Sequence, residues 1–232
     1  MTRPAPAPIA DVFWLSLDRP TDRWWPLLDA AEQQRARALP TALLRRRFVV
    51  RRALIKQTPA HRTGLPVREV TITTDRYGRP ELAGHPHTRF SISHSGPLAA
   101  LAVTGDGSPV GVDAECLRAD RATGRMLRYA LTPRERAAVT EFAPRERPLA
   151  FHAVGTAKEA VAKATGRALA RCFTEVDIAL ATSADGPCRM YGPCLAYDLT
   201  APPAAWPVTR PVPHRTGYAT ALVTLPAPGE TP

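Results

Sequence analysis

The sequence PLAFHAVGTAKEAVAKATG, residues 148–166, decides the fold that we predict for the second half of this chain. Proline is favoured in the first turn of a helix and glycine just past its end, so this stretch predicts a helix from Pro148 to about Thr165 that stops at Gly166. The strand-like segments that follow are residues 175–181, 194–199 and 218–225. The second half is therefore predicted to be a long helix followed by several strands.

The first half follows the same plan. Residues 31–57 place leucines and alanines among arginines and predict a helical region, which Pro40 is expected to interrupt. The strand-like segments that follow are residues 70–73, 89–93, 98–103 and 109–115. The turn sequence GDGS at residues 105–108 predicts that the last two of these segments form an antiparallel hairpin.

A helix followed by strands, given twice, predicts an α+β fold. We expect a pseudo-two-fold pair of similar lobes, each a long helix packed on a small and mainly antiparallel sheet. The N-terminal lobe is predicted over residues 9–115 and the C-terminal lobe over residues 116–225. The proline-rich ends, residues 1–8 and 226–232, lack hydrophobic periodicity and are predicted to be disordered.

The composition favours a basic protein of the cytoplasm. The chain has 232 residues, and its 31 Lys and Arg exceed its 21 Asp and Glu by a formal charge of +10, which favours nucleic acid, phosphate-rich small molecules, acidic proteins or anionic membranes as partners. The four cysteines form no C-x-x-C pair, so we expect neither structural disulfides nor a zinc site. We find no signal segment and no apolar run of the roughly 18 residues that a membrane span needs.

The sequence KEAVAK at residues 158–163 is a candidate for chemistry. Lys158 and Lys163 flank Glu159, and the only other lysine of the chain is Lys56. A lysine ammonium is a mobile point charge that can follow a phosphate or give up a proton, which the arginine guanidinium cannot do. The alternative is an ordinary surface ion pair between Glu159 and Lys163 at i,i+4 spacing, worth roughly 0.2–0.5 kcal/mol.

The sequence GVDAE at residues 111–115 ends the last strand-like segment of the first half. Side chains two residues apart lie on the same face of a strand, so Asp113 and Glu115 are predicted to present two carboxylates together while Val112 and Ala114 pack behind them. Paired carboxylates need a cation between them, and hard oxygen ligands suit Mg²⁺. The alternative is a solvated strand edge.

Three further stretches could contact phosphate. The sequence SISHSG at residues 91–96 offers hydroxyls, a histidine and backbone N–H groups, although a histidine in a turn is more often a satisfied polar residue. The sequence YGRP at residues 77–80 could equally be a plain β-turn with an exposed arginine. The arginines at residues 45–52, together with Lys56, surround a helix, so some of them must be solvated surface.

The order YGRP, SISHS, GVDAE and KEAVAKATGRAL along the chain resembles the 4′-phosphopantetheinyl transferases, specifically the two-lobed monomeric branch that serves polyketide and nonribosomal peptide synthesis. The resemblance extends from about Arg47 to Leu169, with a looser match at residues 217–219. It implies Mg²⁺-dependent transfer of the phosphopantetheine arm of coenzyme A to a serine of an apo acyl or peptidyl carrier protein, with release of adenosine 3′,5′-bisphosphate.

The same resemblance implies a set of site residues. Asp113, Glu115 and Glu159 would hold Mg²⁺, with Mn²⁺ as an alternative, and Glu159 would also help to deprotonate the incoming serine. Lys158 and Lys163 would touch the phosphates, and Lys163 would steady or protonate the departing one. The remaining coenzyme A contacts would come from Arg47, Tyr77, Gly78, Arg79, Pro80, Ser93 and His94. Glu135 matches an acidic position close to the metal.

Gly155 departs from the family pattern, in which a large aromatic residue, usually tryptophan, stands three residues before the lysine of K-E-A. Residues 155, 159 and 163 form one row along a helix, so the missing side chain lies beside the proposed catalytic groups. A glycine within a helix costs about 1 kcal/mol relative to alanine, which indicates a close backbone approach, a widened pocket or relaxed selection.

Two other functions compete with the transferase. The first is a non-catalytic relative that binds coenzyme A or a carrier protein, and Gly155 motivates it. The second is a basic nucleic-acid-binding protein, which the charge alone favours, since the sequence has no recognisable nucleic-acid-binding motif and no aromatics interleaved with its arginines. We expect a monomer without nucleic-acid or membrane partners.

Overall fold

The computed structural model describes residues 10–118, 120, 124–179, 194–198, 200, 205–209 and 217–227, and the side chains of 194–198 and 205–209 are left out of the description. The ends predicted to be disordered lie outside these ranges, apart from Pro226 and Ala227, which belong to neither a helix nor a strand. Cys116 and Cys172, the two cysteines whose side chains the structure describes, form no disulfide.

The fold is α+β and contains two five-stranded antiparallel sheets. The first sheet has the order β1-β5-β4-β3-β2, with β1 at Asp11–Ser16, β2 at Ile72–Thr74, β3 at Pro80–Leu82, β4 at Arg89–Ser95 and β5 at Leu98–Thr104. The second sheet has the order β6-β10-β9-β8-β7, with β6 at Val110–Cys116, β7 at Val176–Ala179, β8 at Cys194–Asp198, β9 at Ala205–Thr209 and β10 at Tyr218–Thr224.

Six α-helices accompany the sheets in the described part of the chain. They are α1 at Ala30–Arg37, α2 at Ala42–Thr63, α3 at Gly124–Ala130, α4 at Pro133–Glu141, α5 at Arg147–Thr165 and α6 at Leu169–Glu175. Short 3₁₀ turns occur at Trp25–Leu27 and Val67–Glu69. The break between α1 and α2 confirms the interruption predicted at Pro40. The end of α5 at Gly166, where φ is 74°, confirms the predicted stop.

Each sheet packs on one of the two long helices. Buried residues of α2, among them Val50 and Leu54, share a core with Leu101 of the first sheet. Buried residues of α5, among them Val154 and Val161, share a second core with the second sheet. The burial of these apolar faces, at roughly 25 cal/mol per Å², is the main force that holds each helix on its sheet. A pseudo-two-fold axis between the two halves stays a prediction.

The predicted hairpin of β5 and β6 is wrong. β5 pairs with β1 and β4, whereas β6 leaves the first sheet and pairs with β10 in the second. Residues 105–109 therefore connect the two sheets, and β6, which the prediction placed at the end of the N-terminal lobe, is a strand of the second sheet. The lobe boundaries themselves stay a prediction. Turn residues indicate that the chain reverses, but they do not say which strand becomes its partner.

Candidate metal and phosphate site

Three carboxylates meet where β6 faces α5. Oxygen atoms of Asp113, Glu115 and Glu159 all lie within 4.8 Å of one another. Asp113 and Glu115 share one face of β6, while Val112 and Ala114 are fully buried behind them, as the alternation predicted. The acidic pair and the helix glutamate therefore converge, so the reading of GVDAE as a solvated strand edge does not hold.

Gly111 allows β6 and α5 to approach closely enough for this convergence. A Cβ built at Gly111 would overlap the carbonyl oxygen of Ala160 and lie 2.7 Å from the backbone nitrogen of Ala164. Backbone atoms cannot move aside as a flexible side chain can, so only glycine fits this position. The close contact places Glu159 and Lys163, both on the partly exposed row of α5, against the β6 carboxylates.

The two carboxylate oxygens of Asp113 have different surroundings. Oδ1 accepts hydrogen bonds of 2.7 Å from the Ser93 hydroxyl and of 2.7 Å from Lys163 Nζ. Oδ2 is buried and has no hydrogen-bond partner among the described residues. A buried acceptor without a partner costs about 1–3 kcal/mol. A divalent cation would remove this cost, because Asp113 Oδ2 and the two neighbouring carboxylates offer the oxygen ligands that such an ion prefers.

The Glu159 carboxyl is held in an environment that disfavours its charge. Burial raises its pKa first, and the neighbouring Asp113 and Glu115 raise it further, while Lys163 acts in the opposite direction. The resulting pKa is about 7. Near neutral pH, Glu159 can therefore both hold and release a proton, and a cation in the cluster would favour its ionised form.

A cavity of about 530 Å³ opens beside Glu159 and Lys163. Its walls come from the loop of residues 77–81, the beginning of β4 and the end of α5. Arg79 fixes the loop on the helix, because its Nε donates to Asp75 at 2.7 Å and its Nη1 donates to the carbonyl of Ala164 at 2.9 Å. The YGRP loop and Glu159, one of the three clustered carboxylates, thus line the same cavity.

A group of basic side chains surrounds His94. Arg51 Nη1 lies 2.7 Å from His94 Nε2, and since arginine can only donate, the imidazole accepts and is neutral. Burial lowers the pKa of His94, and the charges of Arg51, Lys163 and Arg47 lower it further. Arg47 is itself paired with Asp18 at 2.8 Å. Cations gathered around a neutral imidazole form a surface suited to an anion.

Two residues expected to touch phosphate lie elsewhere. Ser93 is 6% exposed and its hydroxyl is engaged by Asp113. Lys158 is fully buried in an ion pair of 2.7 Å with Glu135, and its Nζ also donates to the carbonyls of Ala130 and Phe173. The expected phosphate contact of Lys158 therefore needs correction. Successive residues of an α-helix lie about 100° apart around its axis, so Lys158 falls in the buried row of α5 with Val154 and Val161, whereas Glu159 lines the cavity.

Glu135 belongs to the same buried pair. Its carboxylate accepts the backbone N–H groups of Thr132 at 2.7 Å and Ile178 at 2.8 Å as well as the Lys158 ammonium. Burial raises the pKa of Glu135, and Lys158 opposes that shift. Glu135 thus ties α4 and β7 to α5 and does not reach the carboxylate cluster, contrary to the acidic position near the metal that the resemblance implied.

The space at Gly155 is open. A Cβ built there would meet nothing within 4 Å, so a close backbone approach does not explain this glycine. The position lies one turn before Glu159 on the partly exposed face of α5. A widened pocket and relaxed selection are the two explanations left, and Gly155 is not among the residues that line the cavity beside Glu159.

Hydrogen bonds between β4 and β6, which the sequence did not predict, join the two sheets. Ser91, Ser93 and Ser95 lie on one face of β4, and each hydroxyl forms a hydrogen bond with β6. The signal was present as the alternation S-x-S-x-S, which has the same period of two as the D-x-E of β6. Reading SISHSG as a phosphate loop concealed that strand pattern.

Comparison with known proteins agrees with the geometry. Residues 109–223 match the family described as the 4′-phosphopantetheinyl transferase superfamily. A curated Bacillus subtilis protein named "4'-phosphopantetheinyl transferase" is 24% identical over 163 residues, which cover 68% of this chain and 71% of that protein. None of the described helices combines the length and the apolar character needed to cross a membrane. Over the stretch that carries all three carboxylates, the chain is therefore similar to the 4′-phosphopantetheinyl transferase superfamily.

Proposed function

We propose that this protein transfers the 4′-phosphopantetheine arm of coenzyme A to a serine of an apo acyl or peptidyl carrier protein and releases adenosine 3′,5′-bisphosphate. The observation that carries the proposal is the convergence of Asp113, Glu115 and Glu159, of which Glu159 also lines a cavity whose walls include Lys163 and several arginines. Transfer of this kind depends on positioning and charge neutralisation, because the attacking hydroxyl arrives with the second substrate.

Asp113, Glu115 and Glu159 would hold Mg²⁺, and Mn²⁺ could take the same oxygen ligands. The unsatisfied Oδ2 of Asp113 supports this assignment, since it offers a buried and unshared carboxylate oxygen. When bound, the cation withdraws negative charge from the pyrophosphate of coenzyme A. Without it, three neighbouring carboxylates would repel the same pyrophosphate.

Glu159 is the proposed general base. A base must be ionised to accept a proton; the pKa of Glu159 is about 7 in the metal-free protein, and a cation in the cluster would favour the ionised form. Glu159 would accept the proton of the carrier serine as the serine oxygen forms its bond to phosphorus. Lys163, whose Nζ donates to Asp113 and whose side chain is 30% exposed, would steady or protonate the departing phosphate of adenosine 3′,5′-bisphosphate.

The remaining coenzyme A contacts are assigned to two groups. Tyr77, Gly78, Arg79 and Pro80 line the cavity and would hold the nucleotide. His94, together with Arg47 and Arg51, would hold the 3′-phosphate region, because these cations surround the imidazole and are drawn to an anion. The fully buried Lys158 is not given a phosphate contact in this proposal.

The charge of +10 suits both substrates. Coenzyme A carries several negative charges, and carrier proteins are usually acidic, so the excess of arginine would favour the encounter with each. A cytoplasmic monomer that serves polyketide or nonribosomal peptide synthesis is the setting that we propose.

Mass spectrometry tests the proposal. The protein is incubated with coenzyme A, Mg²⁺ and a panel of apo carrier proteins, and the phosphopantetheine increment is sought on each carrier. We expect the increment with the wild type and its loss with Glu159→Ala or Asp113→Ala. The absence of any increment across a broad panel would contradict the transferase and favour a protein that only binds.

The alternative is a non-catalytic relative that binds coenzyme A or a carrier protein. The open space at Gly155, beside Glu159, is the observation that favours it. Such a relative would bind coenzyme A with measurable affinity while producing no modified carrier. Isothermal titration with coenzyme A, run beside the mass-spectrometric assay, separates this outcome from complete inactivity.

A further inference from the structure

The first sheet is joined to the carboxylate cluster of the second by the serines of β4. Ser91 Oγ accepts the backbone N–H of Val112 at 3.1 Å, while Ser93 and Ser95 donate to the carboxylates of Asp113 and Glu115. Because alternate residues of a strand share a face, the three hydroxyls of β4 lie side by side along β6 and each forms a hydrogen bond with it. Two of them therefore contact the groups proposed to hold the cation.

Ser93 and Ser95 each donate a hydrogen bond to one oxygen of a carboxylate and do not contact its second oxygen. The Ser93 hydroxyl is 2.7 Å from Asp113 Oδ1, whereas Oδ2 of the same carboxylate has no partner in the described part of the chain. The Ser95 hydroxyl is 3.0 Å from Glu115 Oε2. A hydroxyl that holds one oxygen fixes the rotation of the carboxylate and so decides where the second oxygen points.

The direction of the Ser95 proton is itself fixed. Ser95 Oγ accepts the backbone N–H of Cys116 at 3.0 Å, which occupies one lone pair and leaves the hydroxyl proton for Glu115. The Tyr218 hydroxyl in turn donates to the carbonyl of Ser95 at 3.1 Å, joining β10 to the end of β4. Ser95 therefore forms hydrogen bonds with two strands of the second sheet, β6 and β10.

We propose that Ser93 and Ser95 are positioning residues for the cation site, so that the carboxylates of the second sheet depend on the first sheet for their orientation. This inference rests on the proposed role of Asp113, Glu115 and Glu159 as cation ligands. Both serines precede residues 109–223, the stretch that matches the superfamily, so that stretch alone lacks the hydroxyls that orient its carboxylates. The role also replaces the phosphate contact expected for Ser93, whose hydroxyl is buried against Asp113.

The test measures Mn²⁺ binding to the full chain in the presence of coenzyme A, using the loss of the electron paramagnetic resonance signal of free Mn²⁺. We expect Ser93→Ala to weaken Mn²⁺ binding by about 10–100-fold, as is typical when a group that orients a metal ligand is removed. Ser95→Ala, at a more exposed position, should weaken it in the same direction and serves if Ser93→Ala does not fold. Thr140→Ala is the control, since it removes a hydroxyl that touches only backbone, at an exposed position of α4 that lines neither the cavity nor the carboxylate cluster.

The outcomes are distinguishable. Wild-type Mn²⁺ affinity in both Ser93→Ala and Ser95→Ala, or an equal loss in Thr140→Ala, overturns the positioning role. Asp113→Ala is measured beside them: if it too keeps the wild-type affinity, or if the wild type binds no Mn²⁺, the cation site of the proposed function fails as well. Coenzyme A binding in EDTA completes the set, because a loss there with Ser93→Ala and unchanged Mn²⁺ binding would return Ser93 to a phosphate contact and overturn the inference.

Discussion

Gly111 of β6 lies directly against the carbonyl of Ala160 in α5, with no room for a Cβ between them. This contact sets the separation of strand and helix, and therefore the separation of Asp113 from Glu159. Asp113 lies two residues after Gly111, and Glu159 is the neighbour of Ala160. The distance between their carboxylates therefore depends on the absence of a side chain at Gly111.

Gly111→Ala is expected to destabilise the protein strongly. The new methyl group would meet backbone of α5, and overpacking of this kind costs typically 1–3 kcal/mol and occasionally more. Gly155→Ala is the matched control, because its Cβ meets nothing and the gain in helix propensity should stabilise the protein by about 1 kcal/mol. Urea unfolding of both variants checks the prediction, and equal effects in the two would contradict the close packing at Gly111.

Gly155→Trp should raise activity or coenzyme A affinity if the space beside Glu159 is merely vacant. An indole there would fill the open volume one turn before Glu159 and exclude water from the carboxylates, which strengthens electrostatic interactions. Steady-state kinetics with coenzyme A and a carrier protein measure the change, with Gly155→Ala to separate helix propensity from side-chain volume. Unchanged or impaired kinetics would count against a vacant pocket.

Glu135→Ala should destabilise the fold by about 3–5 kcal/mol, because it leaves the Lys158 ammonium buried without its counter-charge. The double variant Glu135→Leu with Lys158→Met should recover most of that loss, since it removes both charges. Denaturant unfolding measures both effects. If Lys158→Met alone, while folded, loses coenzyme A affinity without a change in stability, Lys158 contacts the ligand and the buried role is wrong.

The raised pKa of Glu159 predicts a pH dependence with a definite sign. The pKa of Glu159 is about 7 in the folded protein, whereas its ordinary value is 4.5. Between pH 4.5 and pH 7 the folded state therefore binds more protons than the unfolded state. In the metal-free protein, the contribution of Glu159 to stability is therefore present below pH 4.5 and is lost as the pH rises to 7. Glu159→Gln should remove this dependence from the unfolding profile.

Cation binding should show the opposite trend, because the ionised carboxylate is the ligand. The increase in melting temperature caused by Mg²⁺ should be small at pH 6 and larger at pH 8 for the wild type. Glu159→Gln should show a weaker Mg²⁺ effect that no longer changes near pH 7. A Mg²⁺ effect that is independent of pH in the wild type would argue that Glu159 is not a ligand.

Local patterns predicted the site better than they predicted the topology. The D-x-E alternation of β6 and the helical spacing of KEAVAK gave the facing of Asp113, Glu115, Glu159 and Lys163, because side-chain direction follows from local geometry. The same helical geometry, applied to Lys158, would have placed it on the buried face, but the resemblance assigned it to phosphate. The direction of side chains along one strand or helix can be predicted where the sequence shows a clear periodicity.

Long-range pairing was not readable. Residues 105–107 bend the chain, as their Gly-Asp-Gly sequence indicates, yet β6 pairs with β10, a strand more than a hundred residues later. Nothing local distinguishes a strand that returns to its own sheet from one that crosses to the next. The short strands β1, β3 and β9 and the helices α3, α4 and α6 were also missed, since brief elements are stabilised mainly by tertiary contacts.

The rate of carrier modification as a function of Mg²⁺ concentration tests the central claim most directly, because it measures the function of the three carboxylates together. Initial rates are followed by mass spectrometry for the wild type, Asp113→Asn and the control Thr140→Ala, with EDTA as the zero point. We predict a saturable Mg²⁺ dependence for the wild type and Thr140→Ala, and near-complete loss for Asp113→Asn. Full transfer in EDTA, or an unimpaired Asp113→Asn, would contradict this prediction.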